Sequence, residues 1–186
     1  MIAQGGEAGG HRGTFDGNRE VVAIGTMALV PQVVDAVSIP VVAAGGIMDG
    51  RGIAAALALG AQAVQMGTAF LTCTEAGAPE AHRAAIMDAA AEDTRVTRAF
   101  SGRPARGVIN KFMSAMEPGG DYRDVLPFPW QNALTRPMRT AATAAGQGEY
   151  LSLWAGQGVG LARRQSAAEL VEVLVAETEA AISRLS

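Results

Sequence analysis

Cysteine and histidine are nearly missing from this chain of 186 residues, which carries one of the first, Cys73, and two of the second, His11 and His82. A single thiol excludes an internal disulfide and a thiolate metal cluster, and it suits a reducing compartment. Two histidines far apart in sequence make a poor zinc site. Aromatic residues amount to 5%, as expected where helices pack closely on a sheet through small side chains. No apolar run approaches the roughly 18 residues of a membrane span. The N-terminus lacks the basic region and long apolar stretch of a secretory signal. Positive charge is not in excess either: 15 Lys and Arg stand against 18 Asp and Glu, for a net charge of −3. A nucleic-acid footprint needs basic residues clustered on one face. The run Arg95, Arg98, Arg103, Arg106 and the pair Arg163–Arg164 read instead as solvated surface. The expectation left by these absences is a soluble cytoplasmic protein without a nucleic-acid or membrane partner.

What is present is an apolar fraction of 49%, enough for one folded domain over residues 1–186. Ile2-Ala3-Gln4 reads as a strand, followed by a glycine-rich loop from Gly5 to Glu20. The stretch VVAIGTMALVPQVVDAVSIP reads as a lead-in and a helix, with Pro31 at a first helical position and Val33, Val34 and Val37 on one side. Val41–Ala44 is a short uninterrupted apolar run, the pattern of a strand buried on both faces. Asp49 is placed to cap the next helix, lined by Ile53, Leu57 and alanines, and Gly60 to end it. AVQM forms another buried strand. Strand, turn, helix, strand at this spacing is the grammar of an α/β fold with parallel strands. Residues 79–92 read as a helix begun by Pro79, residues 94–130 as mostly loop with short elements, and ALTRPMRTAATAAG as a helix or turns around Pro137. The last segment is the cleanest helix. Ser166 and Glu169 form a capping box, and Ala167, Leu170, Val171, Leu174, Ala181, Ile182 and Leu185 form its apolar stripe.

Two strands end in glycine turns one helix apart, at Gly45-Gly46 and at Gly67-Thr68. If the strands are neighbours, both turns share one edge of the sheet, where bare backbone N–H groups and the Thr68 hydroxyl can cradle a phosphate. The alternative is that these glycines merely end their elements. No GxGxxG follows a strand, so a dinucleotide fold is poorly supported. His11 follows Gly9-Gly10 in the loop leaving the first strand, at the same edge. It is either an ordinary surface or capping residue or a general base facing a bound cofactor, a role its near-neutral pKa suits. Glu7 is a candidate to orient it. His82 reads as a surface or helix-packing residue and Cys73 as a small buried hydrophobe.

The stretches QGGEAGGHRG, LVPQVVDAVSIPVVAAGGIMDGRGIAAALALGAQAVQMGTAFL and FSGRPARGVINKF, with FPWQNALTRPMR and YLSLWAGQG, resemble the nitronate monooxygenase (2-nitropropane dioxygenase) family over nearly the whole chain. The resemblance implies an FMN-dependent (β/α)8 TIM barrel. This chain would match its C-terminal portion, about three parallel strands, the sixth to eighth, plus C-terminal helices. It implies that His11 is the active-site histidine, base or substrate-orienting. Gly45, Gly46, Gly67 and Thr68 would hold the FMN phosphate, with Gln65 near the flavin, Gly5 and Gly6 along the cofactor's path, and Trp154 and Gln157 by the pocket. The implied reaction is oxidation of a nitronate or nitroalkane by oxygen to a carbonyl compound and nitrite. FMN-dependent enoyl-ACP reductases share the EAGGH and AAGGI motifs and are the alternative, and an inactive barrel fragment is a third. Family members are longer, so a chain lacking five strands is expected to be unstable or to self-associate, and to bind FMN weakly.

Overall fold

Thirteen helices and strands, joined by short 3₁₀ turns, make up the computed structural model, which describes residues 1–15 and 23–185. In chain order the first are β1 (Ile2–Gln4), β2 (Gly10–His11), α1 (Thr26–Ala36), β3 (Val42–Ala44), α2 (Gly50–Ala58), β4 (Ala63–Gln65) and α3 (Thr68–Leu71). They are followed by α4 (Glu80–Asp88), β5 (Thr94–Thr97), β6 (Ala105–Val108), α5 (Lys111–Met116), α6 (Trp130–Ala144) and α7 (Ala167–Ser183). The end of the expected Gly5–Glu20 loop, with Gly17, and the Val21-Val22 lead-in lie outside the described residues.

β1, β3 and β4 form a parallel sheet in that order, with Gln4, Ala44 and Gln65 in one row at the C-terminal edge. Each strand is followed by a helix and then by its neighbour, so every connecting turn leaves from the same edge. One face, carrying Ala3 and Ala43, packs on α1 and α2 through Val30, Ile47 and Ala56. Alanines at the strand positions let the helices lie close, and Val33, Val34 and Val37 of α1 close the side of this cluster. Burying a residue such as Val30, which is fully enclosed, contributes about 1.5–3 kcal/mol. The opposite face differs from the expectation for strands buried on both sides: Ile2, Ala63 and Gln65 remain exposed, and this open face borders the site described below.

A second sheet runs through the region expected to be mostly loop. β2, β6 and β5 pair antiparallel in that order, with His11 opposite Ala105 and Gly10 opposite Arg106. His11 therefore sits on a rung of a sheet, not in a free loop. The sequence conceals these strands because TRVT and ARGV do not alternate apolar and polar residues; arginines occupy their partly buried positions. Helix 79–92 is shorter than expected, since α4 ends at Asp88 and a 3₁₀ turn covers Ala91–Asp93. A single helix, α6, runs through Pro137.

Asp49 caps α2 by accepting from Arg51 and Gly52 N–H, and Gly60, at φ +93°, turns the chain away beyond it. Leu57 of α2 is exposed, and the buried positions are Ala54 and Ala56. Ser166 and Glu169 close the capping box of α7. Only part of the expected stripe of α7 is covered: Leu170, Leu174 and Ala181 are buried, whereas Val171, Ile182 and Leu185 face outward. The helix packs on α2 and, through Leu170 and Leu174, on the Cys73 cluster. Cys73 is buried there, as expected.

Pro31 lies inside α1, not at its first position. The start is set from elsewhere. Gly25 at the cap has no side chain to offer, and both Glu7 oxygens accept from Thr26 N–H at 3.0 and 2.9 Å. A carboxylate 19 residues upstream thus begins the helix ahead of Pro31. Replacing it, as Glu7→Ala, leaves that N–H without its acceptor and should cost about 1 kcal/mol. Urea unfolding of the two chains measures this, and equal midpoints would show that the cap contributes nothing.

Candidate functional site

The shared edge of the parallel sheet opens on a cavity of about 660 Å³. Gln4, Ala44 and Gln65 supply its floor, the turns after β3 and β4 one wall, and the β2 segment with Trp154 the other. Seven of the residues singled out by sequence line it together: His11, Gly45, Gly46, Gln65, Gly67, Thr68 and Trp154. Gly5 and Gly6 do not. Gly5 N–H donates to Ala44 O, Gly6 N–H donates to Ile24 O, and added side chains there would run into Thr26 and Ala23. They pack the chain behind the cavity. Gln157 faces a smaller neighbouring cavity of about 320 Å³ beside the same diglycine turn.

Gly45 and Gly46 have φ of +116° and +70°, conformations that L side chains rarely adopt, so this turn needs glycine at both places. Among the described residues the N–H groups of Gly46, Ile47 and Gly67 have no protein acceptor. A Cβ built on Gly67 would meet no protein atom and would occupy the opening itself. The Thr68 oxygen accepts from Gly156 N–H at 2.9 Å, which leaves its hydroxyl proton to donate. Unpaired donors gathered on one wall are what an anion requires.

The β2 segment is held mainly by charge-assisted bonds to its backbone. Arg12, 7% exposed, donates to Gly5 O at 3.0 Å and to Ala8 O at 2.6 Å. Arg106 donates to Gly6 O at 3.0 Å. The Gln4 amide, reaching up from β1, donates to His11 O and accepts from Gly13 N–H. Burial is the first cause lowering both guanidinium pKa values, and Arg106 adds to it for Arg12; both stay charged.

His11 presents its ring to the cavity, edge-on to Trp154 with centroids 5.4 Å apart. Its Nε2 lies 2.8 Å from Ser101 Oγ. Glu7 does not orient it, because that carboxylate is committed to α1. Burial lowers the His11 pKa below 6.5, and the positive charges of Arg103, Arg12 and Arg139 lower it further. None of these three arginines has a carboxylate partner among the described residues. Burial and these positive charges thus both disfavour the protonated ring. His82 supports the wall from behind, its Nε2 3.0 Å from Trp154 O. Sequence reasoning missed Ser101, Gln4 and Arg12. Ser101 lies inside a stretch that carried the family resemblance, and only its contact with His11 distinguishes it.

The chain matches a family model described as nitronate monooxygenase over residues 1–177. A probable nitronate monooxygenase of Staphylococcus saprophyticus is 47% identical, the match covering 99% of this chain and 52% of that protein. One of Bacillus subtilis is 49% identical over 86% of this chain and 45% of its own length. The chain therefore spans about half the length of the curated relatives it matches. Among solved structures, the nitroalkane oxidase of Streptomyces ansochromogenes superposes with a TM-score of 0.90 at 49% identity, covering all of this chain and 53% of that one. FabK of Thermotoga maritima superposes with a TM-score of 0.78 at 35% identity, over 99% and 55%.

The histidines give the fold a pH dependence of definite sign. Burial is the first cause lowering both His11 and His82 below the ordinary 6.5. Between the lowered and the ordinary values the unfolded chain binds more protons than the folded one, so stability rises with pH through that window. It is fully present above 6.5 and lost as pH falls through the lowered values. Urea unfolding over this range should show the slope, reduced in His11→Gln. If that variant keeps the whole slope, His11 has no part in it.

Proposed function

The chain belongs to the nitronate monooxygenase family, and we propose that its cavity serves the oxidation of nitronates, or of nitroalkanes deprotonated in place, by oxygen to carbonyl compounds and nitrite. The observation that carries this reading is a histidine on the same cavity as a wall of unpaired N–H groups, acted on by three guanidiniums that have no carboxylate partner among the described residues. A nitroalkane is a weak carbon acid whose conjugate base is an anion. The neutral imidazole of His11 takes the proton from its α-carbon, and the field of Arg12, Arg103 and Arg139 favours the negative charge that remains.

The residues present fit FMN. Gly45 and Gly46, Gly67 and the Thr68 hydroxyl would hold its phosphate on unpaired donors, and Gln65, which lines the cavity, would stand near the flavin. When bound, FMN supplies the redox chemistry, taking electrons from the substrate and passing them to oxygen. The protein's part is to bind, to orient, and to move the proton at His11. Trp154, packed edge-on against both His11 and Phe100, shields the histidine on one side. The three neighbouring parallel strands, together with the half-length match to the relatives, support reading them as the sixth to eighth strands of a (β/α)8 barrel. The higher identity to the nitroalkane oxidase than to FabK favours nitronate chemistry over enoyl reduction.

Nitrite release from a nitroalkane, measured with added FMN, tests the proposal. His11→Ala should lower it by about 100-fold or more, within the usual range for a general base. It should affect a preformed nitronate less, since no proton then needs removing. Undiminished nitroalkane turnover in that variant would remove His11 from the reaction. Consumption of NAD(P)H with an enoyl thioester, without nitrite formation, would replace the reading with the reductase.

A further inference from the structure

Ser101 lies in the turn between β5 and β6, 3% exposed, in a segment held from three sides. Gln131 of α6 donates to Ala99 O at 2.6 Å, and Thr135 of the same helix donates to Phe100 O. The buried carboxylate of Glu117 accepts from Thr97 Oγ1 at 2.8 Å and from Arg98 N–H at 2.7 Å, fixing the chain just before the turn. None of these groups faces the cavity, so the turn's position does not depend on what the cavity holds. Three groups meet at the Ser101 oxygen: Arg103 N–H at 3.2 Å, Arg103 O at 3.2 Å and His11 Nε2 at 2.8 Å.

A serine hydroxyl has one proton and two lone pairs, so these three neighbours can be counted. If the hydroxyl donates to Arg103 O, its lone pairs accept from Arg103 N–H and from a protonated His11 Nε2, and all three contacts are hydrogen bonds. If it donates to an unprotonated Nε2 instead, the Arg103 carbonyl loses its donor and one bond is lost. An imidazolium, protonated at both nitrogens, is compatible with the first arrangement alone. The other ring nitrogen, Nδ1, makes no hydrogen bond with any described residue.

We propose that Ser101 is the positioning residue of this site, holding the proton of His11 on Nε2 so that Nδ1 keeps the lone pair that receives the substrate proton. In that transfer the α-carbon–hydrogen bond breaks, an Nδ1–H bond forms, and the electron pair stays on the nitronate. The Nε2–H···Oγ bond persists throughout, so the step needs no rearrangement around the base. The proposal rests on reading His11 as the base, but the tautomer itself is a property of the chain alone.

The chain has two histidines, which makes the tautomer directly legible by ¹⁵N NMR of histidine-labelled protein well above the ordinary imidazole pKa. His82 is an internal reference. Its Nε2 faces the Trp154 carbonyl, which only accepts, so its proton is fixed on Nε2 while the fold holds. In the unsubstituted chain His11 should also show a protonated Nε2 and a bare Nδ1. In Ser101→Ala that signature should give way to exchange between the two tautomers, with His82 unchanged, and kcat should fall about tenfold or more with little change in KM. Should Ser101→Ala also disturb His82, Ser101→Thr, which keeps the hydroxyl, decides: the original His11 pattern supports the proposal and its absence overturns it. A proton on Nδ1 in the unsubstituted chain, or an unaltered pattern in Ser101→Ala, overturns it as well. If the tautomer is as stated but no nitroalkane is turned over, the functional reading fails and the positioning role stands.

Discussion

Two bare backbones, at Gly9 and at Gly156, pass so close that a side chain on either would collide with the other's main chain. A Cβ on Gly9 would lie 2.6 Å from the Ala155 carbonyl carbon, and one on Gly156 would lie 2.6 Å from Glu7 O. This contact brings the 153–157 segment against the start of the chain, and much of the site follows from it. The segment pairs with β6 through Val108 N–H and Leu153 O, donates from Gly156 N–H to the Thr68 hydroxyl oxygen, and donates from Gln157 N–H to Glu7 O. It thereby joins the parallel sheet to the antiparallel one. Together with Gln4 and Arg12, which tie the β2 segment to β1, it sets His11 and the glycine turns around one cavity.

Charge decides what that cavity can hold. The chain as a whole is slightly acidic, at −3, yet the charges that act on His11 are those of Arg103, Arg12 and Arg139, whose hydrogen bonds among the described residues go to backbone carbonyls and neutral side chains. Guanidiniums used in this way build the loop and, although Glu7 partly offsets Arg12, they still place positive charge about the ring. Burial and that field act on the imidazole in the same direction, both disfavouring its protonated form and leaving its lone pair free at the cost of some basicity. The same field suits the anion that a nitroalkane becomes once its proton is gone.

Local features were readable where cause and effect lie within one element. The β1 strand, the apolar runs of β3 and β4, the Asp49 cap and the Ser166–Glu169 box were all visible because each depends on residues within a few positions. The start of α1 was not, because its acceptor is Glu7, in another part of the chain. β5 and β6 were hidden because arginines take positions where strands usually show apolar residues. Gly5 and Gly6 looked like Gly45 and Gly46 in sequence. Their difference, packing behind the cavity as opposed to lining it, lies in contacts with Thr26 and Ala23.

The sequence by itself determined the family, the βαβ grammar, the histidine and the glycine turns. These are carried by residue type and short spacing, which do not need the fold in order to be read. Tertiary structure alone decided that His11 stands on a sheet rung, that Ser101 and not Glu7 meets its ring, and that Arg103 and Arg139 join Arg12 in acting on it without carboxylate partners among the described residues. Apart from Arg12, the next residue in the chain, these facts join segments about 90 residues or more apart, and a contact of that reach is set by how the backbones cross, which no local pattern encodes.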